Sequence, residues 1–251
     1  MYDSLSSDYD RFVNWPNRLA AEMPFIEKQL QGARGVLDAA CGTGMHAIAL
    51  AGRGFMVAGA DLSQGMIERA RANAQAAKVE VRFEAAGFGE LGGALGRGAF
   101  DALLCLGNSL PHVLTPAELA VALADFAACL RPGGLVLIQN RNFDAVLAHR
   151  ARWMEPQGRR EGENEWLFLR FYDFEPDGLL NFNIITLRRE GTGGWSQQVT
   201  TTRLRPLLQA ELTAALAAAG FREIASYGDM SGSRFDPETS GNLILTARVD
   251  E

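Results

Sequence analysis

Val36-Leu37-Asp38-Ala39-Ala40-Cys41-Gly42-Thr43-Gly44 is an apolar run that ends in an acid and then in a glycine turn. Ala58-Gly59-Ala60-Asp61-Leu62-Ser63 repeats the apolar run and the acid 17 residues after Gly44. Together they read as a buried strand, a tight turn, a helix and a second buried strand. A glycine turn lets backbone approach a ligand, and the helix behind it aims its N-terminus at the same place. An acid at the end of the second strand is placed to bind a sugar diol.

The rest of the chain extends this α/β pattern. Phe12, Trp15, Leu19, Met23, Ile26 and Leu30 recur at helical spacing, so residues 1–30 read as one or two amphipathic helices, with a break or start at Asn14-Trp15-Pro16. Strands are expected at about 35–39, 55–60, 79–83, 100–106 and 135–139. Helices are expected at 45–52, from a Ser63 cap to 77, and at 116–130. Gly87 to Gly98 reads as loop. Beyond residue 140 the pattern changes: 166–174, 180–189 and 195–204 are rich in β-branched and aromatic residues and are separated by turn sequences, as in an antiparallel meander. A helix at 209–219 and two strands at 224–227 and 243–249 close the chain. At 251 residues with 47% hydrophobic content, this is most simply one domain, 1–251, with embellishments.

The turn could serve a dinucleotide or S-adenosylmethionine (SAM), since both carry an adenosine. A dinucleotide site expects Gly-x-Gly-x-x-Gly, but Gly42-Thr43-Gly44 is followed by Met45-His46-Ala47. Asp38 is the sharper discriminator: it would repel a pyrophosphate and attract the ammonium group of SAM. Asp61 then suits the ribose hydroxyls.

At this point the chain resembles the class I SAM-dependent methyltransferases. The matching pieces are 37–44, 61–67, Phe100-Asp101-Ala102-Leu103-Leu104-Cys105 and Leu130-Arg131-Pro132-Gly133-Gly134. The resemblance implies a seven-stranded Rossmann-like sheet with helices on both faces and its last strand antiparallel. Within that family, Cys105-Leu106-Gly107-Asn108-Ser109-Leu110-Pro111-His112 and the run from Arg131 to Asp144 are similar to the glycine/sarcosine N-methyltransferase group, as is a three-stranded insertion (141–205) after strand five. The adenine loop departs from the family: it reads Ala85-Ala86-Gly87-Phe88, without the usual Asp or Asn. That leaves backbone at Ala86 or Gly87 and the Phe88 ring for the base.

The cofactor set expected from the motifs is Asp38, Ala40, Gly42, Gly44, Asp61, Leu62, Met66, Gly87, Phe88 and Leu106. The resemblance adds residues 1–30 as a lid, with Arg18 on the SAM carboxylate and Tyr9 near the transferred methyl. Asn108 and His112, at the carboxyl end of strand four, join Tyr9 as catalytic candidates. Arg141, Asn142, Arg170, Tyr172 and Arg203 are acceptor candidates, Arg141 the best placed, because an acceptor carboxylate would call for an Arg fork.

A net charge of −6 argues against nucleic acid. The three cysteines have no metal-ligand spacing, and no apolar stretch is long enough to span a bilayer. The expectation is a cytoplasmic enzyme methylating a small molecule, most simply at an amine nitrogen. Transfer to oxygen, an NAD-dependent oxidoreductase and a non-catalytic SAM-binding protein stay open, as does a homo-oligomer paired through the meander edge.

Overall fold

A computed structural model describes residues 10–250. Its centre is a seven-stranded sheet built from β1 (Gly35–Ala39), β2 (Met56–Asp61), β3 (Arg82–Ala85), β4 (Phe100–Cys105), β5 (Leu130–Arg141), β10 (Phe221–Tyr227) and β11 (Asn242–Val249). The order across the sheet is β10-β11-β5-β4-β1-β2-β3. β1 to β5 are parallel, and β11 pairs antiparallel with both β5 and β10. The order reverses at β1 and β4, so the crevice outside their carboxyl ends is where an open α/β sheet binds ligands.

Both faces of the sheet are covered, which is why its strands read as continuous apolar runs. Leu37, Ala39, Leu103 and Ile138 pack on one face against α5 (Pro116–Cys129) and α7 (Gln209–Ala218). Val36, Ala102, Leu104 and Leu137 pack on the other against α1 (Trp15–Gln29), α2 (Met45–Ala51) and α3 (Gln64–Ala77). Thr115 and Glu118 form a reciprocal capping box at the start of α5, and Ser63 caps α3, as its position before the helical run requires.

A second sheet stands apart from the first. Its strands are β6 (Gln157–Glu161), β7 (Asn164–Phe174), β8 (Leu180–Arg189) and β9 (Trp195–Leu204), in that order and all antiparallel. It contains the three expected strands plus β6. That strand was illegible because Gln157-Gly158-Arg159-Arg160-Glu161 has no apolar side chain; it exists by pairing with β7. A short helix, α6 (Phe143–Ala148), links the sheets.

Two further expectations are corrected. Strand five does not begin at Leu135. Phe100 pairs with Leu130 and Ala102 with Leu135, so Arg131–Gly134 is an irregularity within the strand rather than a stop before it. And the glycine-rich stretch 87–98 contains a helix, α4 (Leu91–Leu95). Its propensity is poor, but the carboxylate of buried Asp125 on α5 accepts three backbone N–H groups, from Gly89 (2.9 Å), Leu91 (2.8 Å) and Gly92 (3.0 Å). A tertiary contact supplies the cap that the local sequence lacks.

Among the described residues no helix is long and apolar enough to cross a membrane, and no three His, Cys, Asp or Glu are placed to hold a metal ion.

The Asp125 cap gives a direct test. Asp125→Ala leaves three amides without acceptors and should lower unfolding stability by about 2–4 kcal/mol, read as a shift of the urea midpoint. Hydrogen exchange should speed up first at Gly89, Leu91 and Gly92. An unchanged midpoint would remove the carboxylate as the reason this segment is helical.

Candidate functional site

After β1 the chain turns back within a few residues. Ala40 (φ 66°), Gly42 (55°) and Gly44 (80°) all take left-handed conformations, a region that costs Ala more than Gly. Gly44 also has a packing role. A Cβ there would lie 2.8 Å from the Phe83 ring and 2.9 Å from Cβ of Ala70. This glycine therefore allows the close approach of helix and strand that a dinucleotide motif assigns to its third glycine.

Asp61 ties the turn to the end of β2. One carboxylate oxygen accepts from the Gly42 N–H and the other from the Ser63 N–H, both at 2.9 Å. Asp38, at the end of β1, is buried, and its Oδ2 has no hydrogen-bond partner. Burial pushes its pKa up to about 6; His46, Arg18 and the Ala47 amide work against that rise and Asp61 adds to it. A buried acid with an unused oxygen beside a glycine turn is an incomplete electrostatic arrangement. A cationic group brought there would complete it.

The helix α1 is fastened over these strand ends by a second buried acid, Glu22. Its carboxylate accepts from Arg18 Nε at 3.1 Å and from Gln139 Nε2 at 3.2 Å, and lies 2.7 Å from Nε2 of His46. Burial alone would raise Glu22; the His46 hydrogen bond and Arg18 outweigh it, and the net shift is downward. Gln139, at the end of β5, is the joint. Its Oε1 accepts from the Gly107 N–H (3.0 Å) and from Arg18 Nη2 (3.3 Å). Trp15 packs edge-on against His46 at 5.5 Å and under the Arg18 guanidinium. Asp10 accepts from Trp15, Thr43 and Arg69.

Beyond Gly107 a cavity of about 410 Å³ runs between the strand ends, the N-terminal segment and the second sheet. Arg18, Glu22, Gly107, Asn108, His112 and Gln139 line the end toward the glycine turn. Asn140, Arg141, Arg170 and Tyr172, with the apolar side chains of Phe12, Met154, Phe182, Ile184 and Leu204, line the rest. Asn108 has φ 65° and accepts the Arg141 N–H on its side chain at 2.9 Å. Burial pushes His112 down to about 4 and Tyr172 up to about 12. A broader depression of about 770 Å³ lies over the amino ends of β2 and β3, away from every strand end that carries an acid.

The structure thus brings Asp38, Ala40, Gly42, Gly44 and Asp61 to one turn, with Leu62 beside them as an 80% exposed apolar side chain. Gly87 follows β3 and its N–H donates to Glu90 at 3.2 Å. Arg18, Asn108, His112, Arg141, Arg170 and Tyr172 all line the cavity. Leu106 is buried in the core behind it. Met66 is buried at the first turn of α3, and Phe88 packs edge-on against Phe126 at 5.3 Å. Two acceptor candidates are corrected. Asn142 does not reach the cavity: its amide donates to backbone carbonyls of Pro237 and Ser240, and its oxygen accepts from Ala145 as the cap of α6. Arg203 pairs with Asp177 at the surface. Tyr9 lies outside the described residues.

Glu22, Gln139 and Asn140 are the residues that sequence reasoning missed. By sequence alone, Glu22 four residues after Arg18 cannot be told from the acid of a solvated helix pair. The signal for the others was available: Gln139-Asn140-Arg141-Asn142 places four polar residues where a buried apolar strand ends.

A methyltransferase domain family matches residues 36–134. The glycine/sarcosine N-methyltransferase of Parasynechococcus marenigrum is 29% identical over 248 residues, covering 94% of this chain and 80% of that protein. The structure of an S-adenosylmethionine-dependent methyltransferase from Clostridium acetobutylicum superposes with a TM-score of 0.80 at 16% identity, over 100% of this chain and 99% of the other. A SAM-bound amino pentose methyltransferase of Micromonospora echinaspora has the same fold, with a TM-score of 0.71 at 23% identity over 95% and 92% of the two chains. The strand order, the glycine turn with its two acids and these likenesses together support a class I SAM-dependent methyltransferase, an enzyme that uses SAM as its cofactor.

Proposed function

We propose that this enzyme methylates the nitrogen of a small amine, with SAM held at the ends of β1 and β2 and the acceptor in the cavity beside it. The observation that carries the reading is that Arg18, Gly107 and Gln139, joined by hydrogen bonds at the strand ends, also line the cavity. A donor at the turn and an acceptor in the cavity would meet there.

The residues present fit the cofactor. Asp61 would hold the sugar diol, and Asp38, with its orphan oxygen, would meet the ammonium group. Arg18 supplies a cation for the carboxylate. Ala40 and Gly42 bring backbone close, and Leu62, Gly87 and Phe88 supply the surroundings of the base. SAM, when bound, supplies a methyl group on a sulfonium, activated and with a good leaving group. What the chain must add is alignment and exclusion of water, and orientation alone is worth roughly 7–11 kcal/mol.

Nitrogen is favoured over oxygen by His112. An alcohol needs a base matched to the working pH, and an imidazole pushed down to about 4 is a poor one. The same neutral ring can accept a hydrogen bond from an amine N–H, and Asn108 can help orient it. A neutral amine already has the lone pair it needs. The relative from Parasynechococcus marenigrum and the amino pentose enzyme are named for amine-bearing acceptors, which supports the same choice. Incubating the enzyme with SAM and a panel of small amines and alcohols, followed by mass spectrometry, tests it directly. Methylated alcohols without methylated amines would reverse the assignment.

Asp61→Ala should weaken S-adenosylhomocysteine binding by about 3 kcal/mol, roughly 100-fold, in calorimetric titration. Parent-like affinity in that variant would dissociate Asp61 from the cofactor.

Asp38 predicts a pH dependence. Its folded-state value lies above the ordinary 3.8, so in the cofactor-free protein the protonated acid favours the fold. That contribution is complete below about pH 3.8 and is lost as pH rises through about 6. At about pH 7.5 the buried anion therefore costs the free protein on the order of 1–3 kcal/mol. Asp38→Asn should raise the melting temperature of the free protein at about pH 7.5, and much less at about pH 5. The same variant should lose most of the melting-temperature rise that S-adenosylhomocysteine gives the parent. A variant less stable than the parent at the higher pH would contradict this account.

A further inference from the structure

The arginines of the second sheet divide into two groups. Arg152, Arg160, Arg188, Arg189 and Arg203 each have an acid partner. Arg170 on β7 and Arg141 at the end of β5 have none among the described residues. The Nε atoms of both are buried without a hydrogen-bond partner, and so are both polar atoms of the Asn140 amide, which is 1% exposed. Arg170 makes only a long 3.5 Å contact to the Glu155 carbonyl and stacks over Phe12 at 4.8 Å. Burial and the charge of Arg141 both pull its pKa down, so the two guanidiniums act on each other within one cavity. In a chain with 30 acids against 24 Lys and Arg, two neighbouring cations left without an acid leave a gap that an anion would fill.

The same cavity is far larger than the smallest amino acids. Its volume of about 410 Å³ corresponds to about a dozen waters, whereas glycine displaces roughly two or three. The donor end takes part of this space. What remains is walled by Met154, Phe182, Ile184 and Leu204 from the second sheet and its approach, and by Phe12. Ile184 and Leu204 are almost wholly buried. Water there would be held against hydrocarbon, so an apolar substituent would displace it favourably.

We infer that the acceptor is an amino acid or close analogue with an apolar side group larger than a methyl, its carboxylate held between Arg141 and Arg170. This rests on the amine-methylation reading and narrows it. Arg141 alone could hold a carboxylate of any size. Arg170 and the apolar wall are what select against glycine. The amine is directed toward Asn108 and His112, while the side group fills the space against β8 and β9.

The test is calorimetric titration of the enzyme saturated with S-adenosylhomocysteine, using glycine, L-leucine, L-phenylalanine and the methyl esters of the last two. At least one of the two larger acids should bind about tenfold or more tightly than glycine, and its ester about tenfold more weakly than the acid. Arg170→Met, which keeps the length and removes the charge, should shrink the difference between acid and ester, leaving the part that Arg141 supplies. The comparison within the parent enzyme stands even if that variant folds poorly. Glycine binding tightest, esters binding as well as acids, or no binding by any of the five would overturn the inference while leaving the methyl-donor site intact. Absence of S-adenosylhomocysteine binding itself would take down the methyl-transfer reading and this one with it.

Discussion

The Glu22 carboxylate is the contact on which the site depends. An acid removed from water is held as an anion at little cost when its charge and lone pairs are met, and here the partners come from three places: Arg18 on the same helix, His46 on α2 and Gln139 on β5. Each partner is also tied elsewhere. Gln139 reaches the Gly107 amide, and His46 packs against Trp15. The amphipathic face of α1 supplies apolar burial through Met23 and Ile26, which would allow the helix to slide or roll. The acid sets its register. Docking of the helix and the shape of the strand-four turn are consequently one event, because the same glutamine side chain serves both.

How much of this was legible in the sequence follows from where each stabilising contact lies along the chain. β1 and β2 read directly because each strand, its acid and its turn are contiguous, and the meander because its strands carry their own aromatic and β-branched signal. α4 and β6 did not, because each is held by something distant: α4 by Asp125, 34 residues from the Leu91 amide it caps, and β6 by pairing with β7. The same rule divides the site. Asp38 and Asp61 were readable from local pattern alone. Glu22 was not, since nothing in residues 15–29 distinguishes an acid buried against a sheet from one in water. Asn142 erred in the opposite direction: a polar residue at a strand end looked like a ligand group, yet three-dimensional packing uses it as a clamp between α6 and the loop before β11.

The two halves of the molecule treat charge differently, and this separates what belongs to the family from what belongs to this chain. At the glycine turn the group left incompletely met is an acid, Asp38, on a scaffold made by the sheet itself. Across the cavity the unmatched groups are cations carried by β5 and β7. A donor with an ammonium group and an acceptor with a carboxylate would each meet the opposite sign, and each would be turned away from the other's place. Two like-charged clusters could not sort them in this way.

Such an arrangement has a cost in the empty protein. Asp38 pushed up to about 6, Arg170 pulled down by burial and by Arg141, and an Asn140 amide with no partner are all buried polar groups that folding leaves unmet. Any of them could be replaced by an apolar neighbour with less strain on the fold. They lie on both sides of the same strand ends, whereas the arginines on the outer part of the second sheet are neutralised by ordinary surface pairs. Asp38 at the end of β1, and Asn140, Arg141 and Arg170 on the cavity, are each placed where a ligand of matching chemistry would meet them. A cation beside Asp38 and an anion between the cavity arginines would give these groups the partners that folding does not supply.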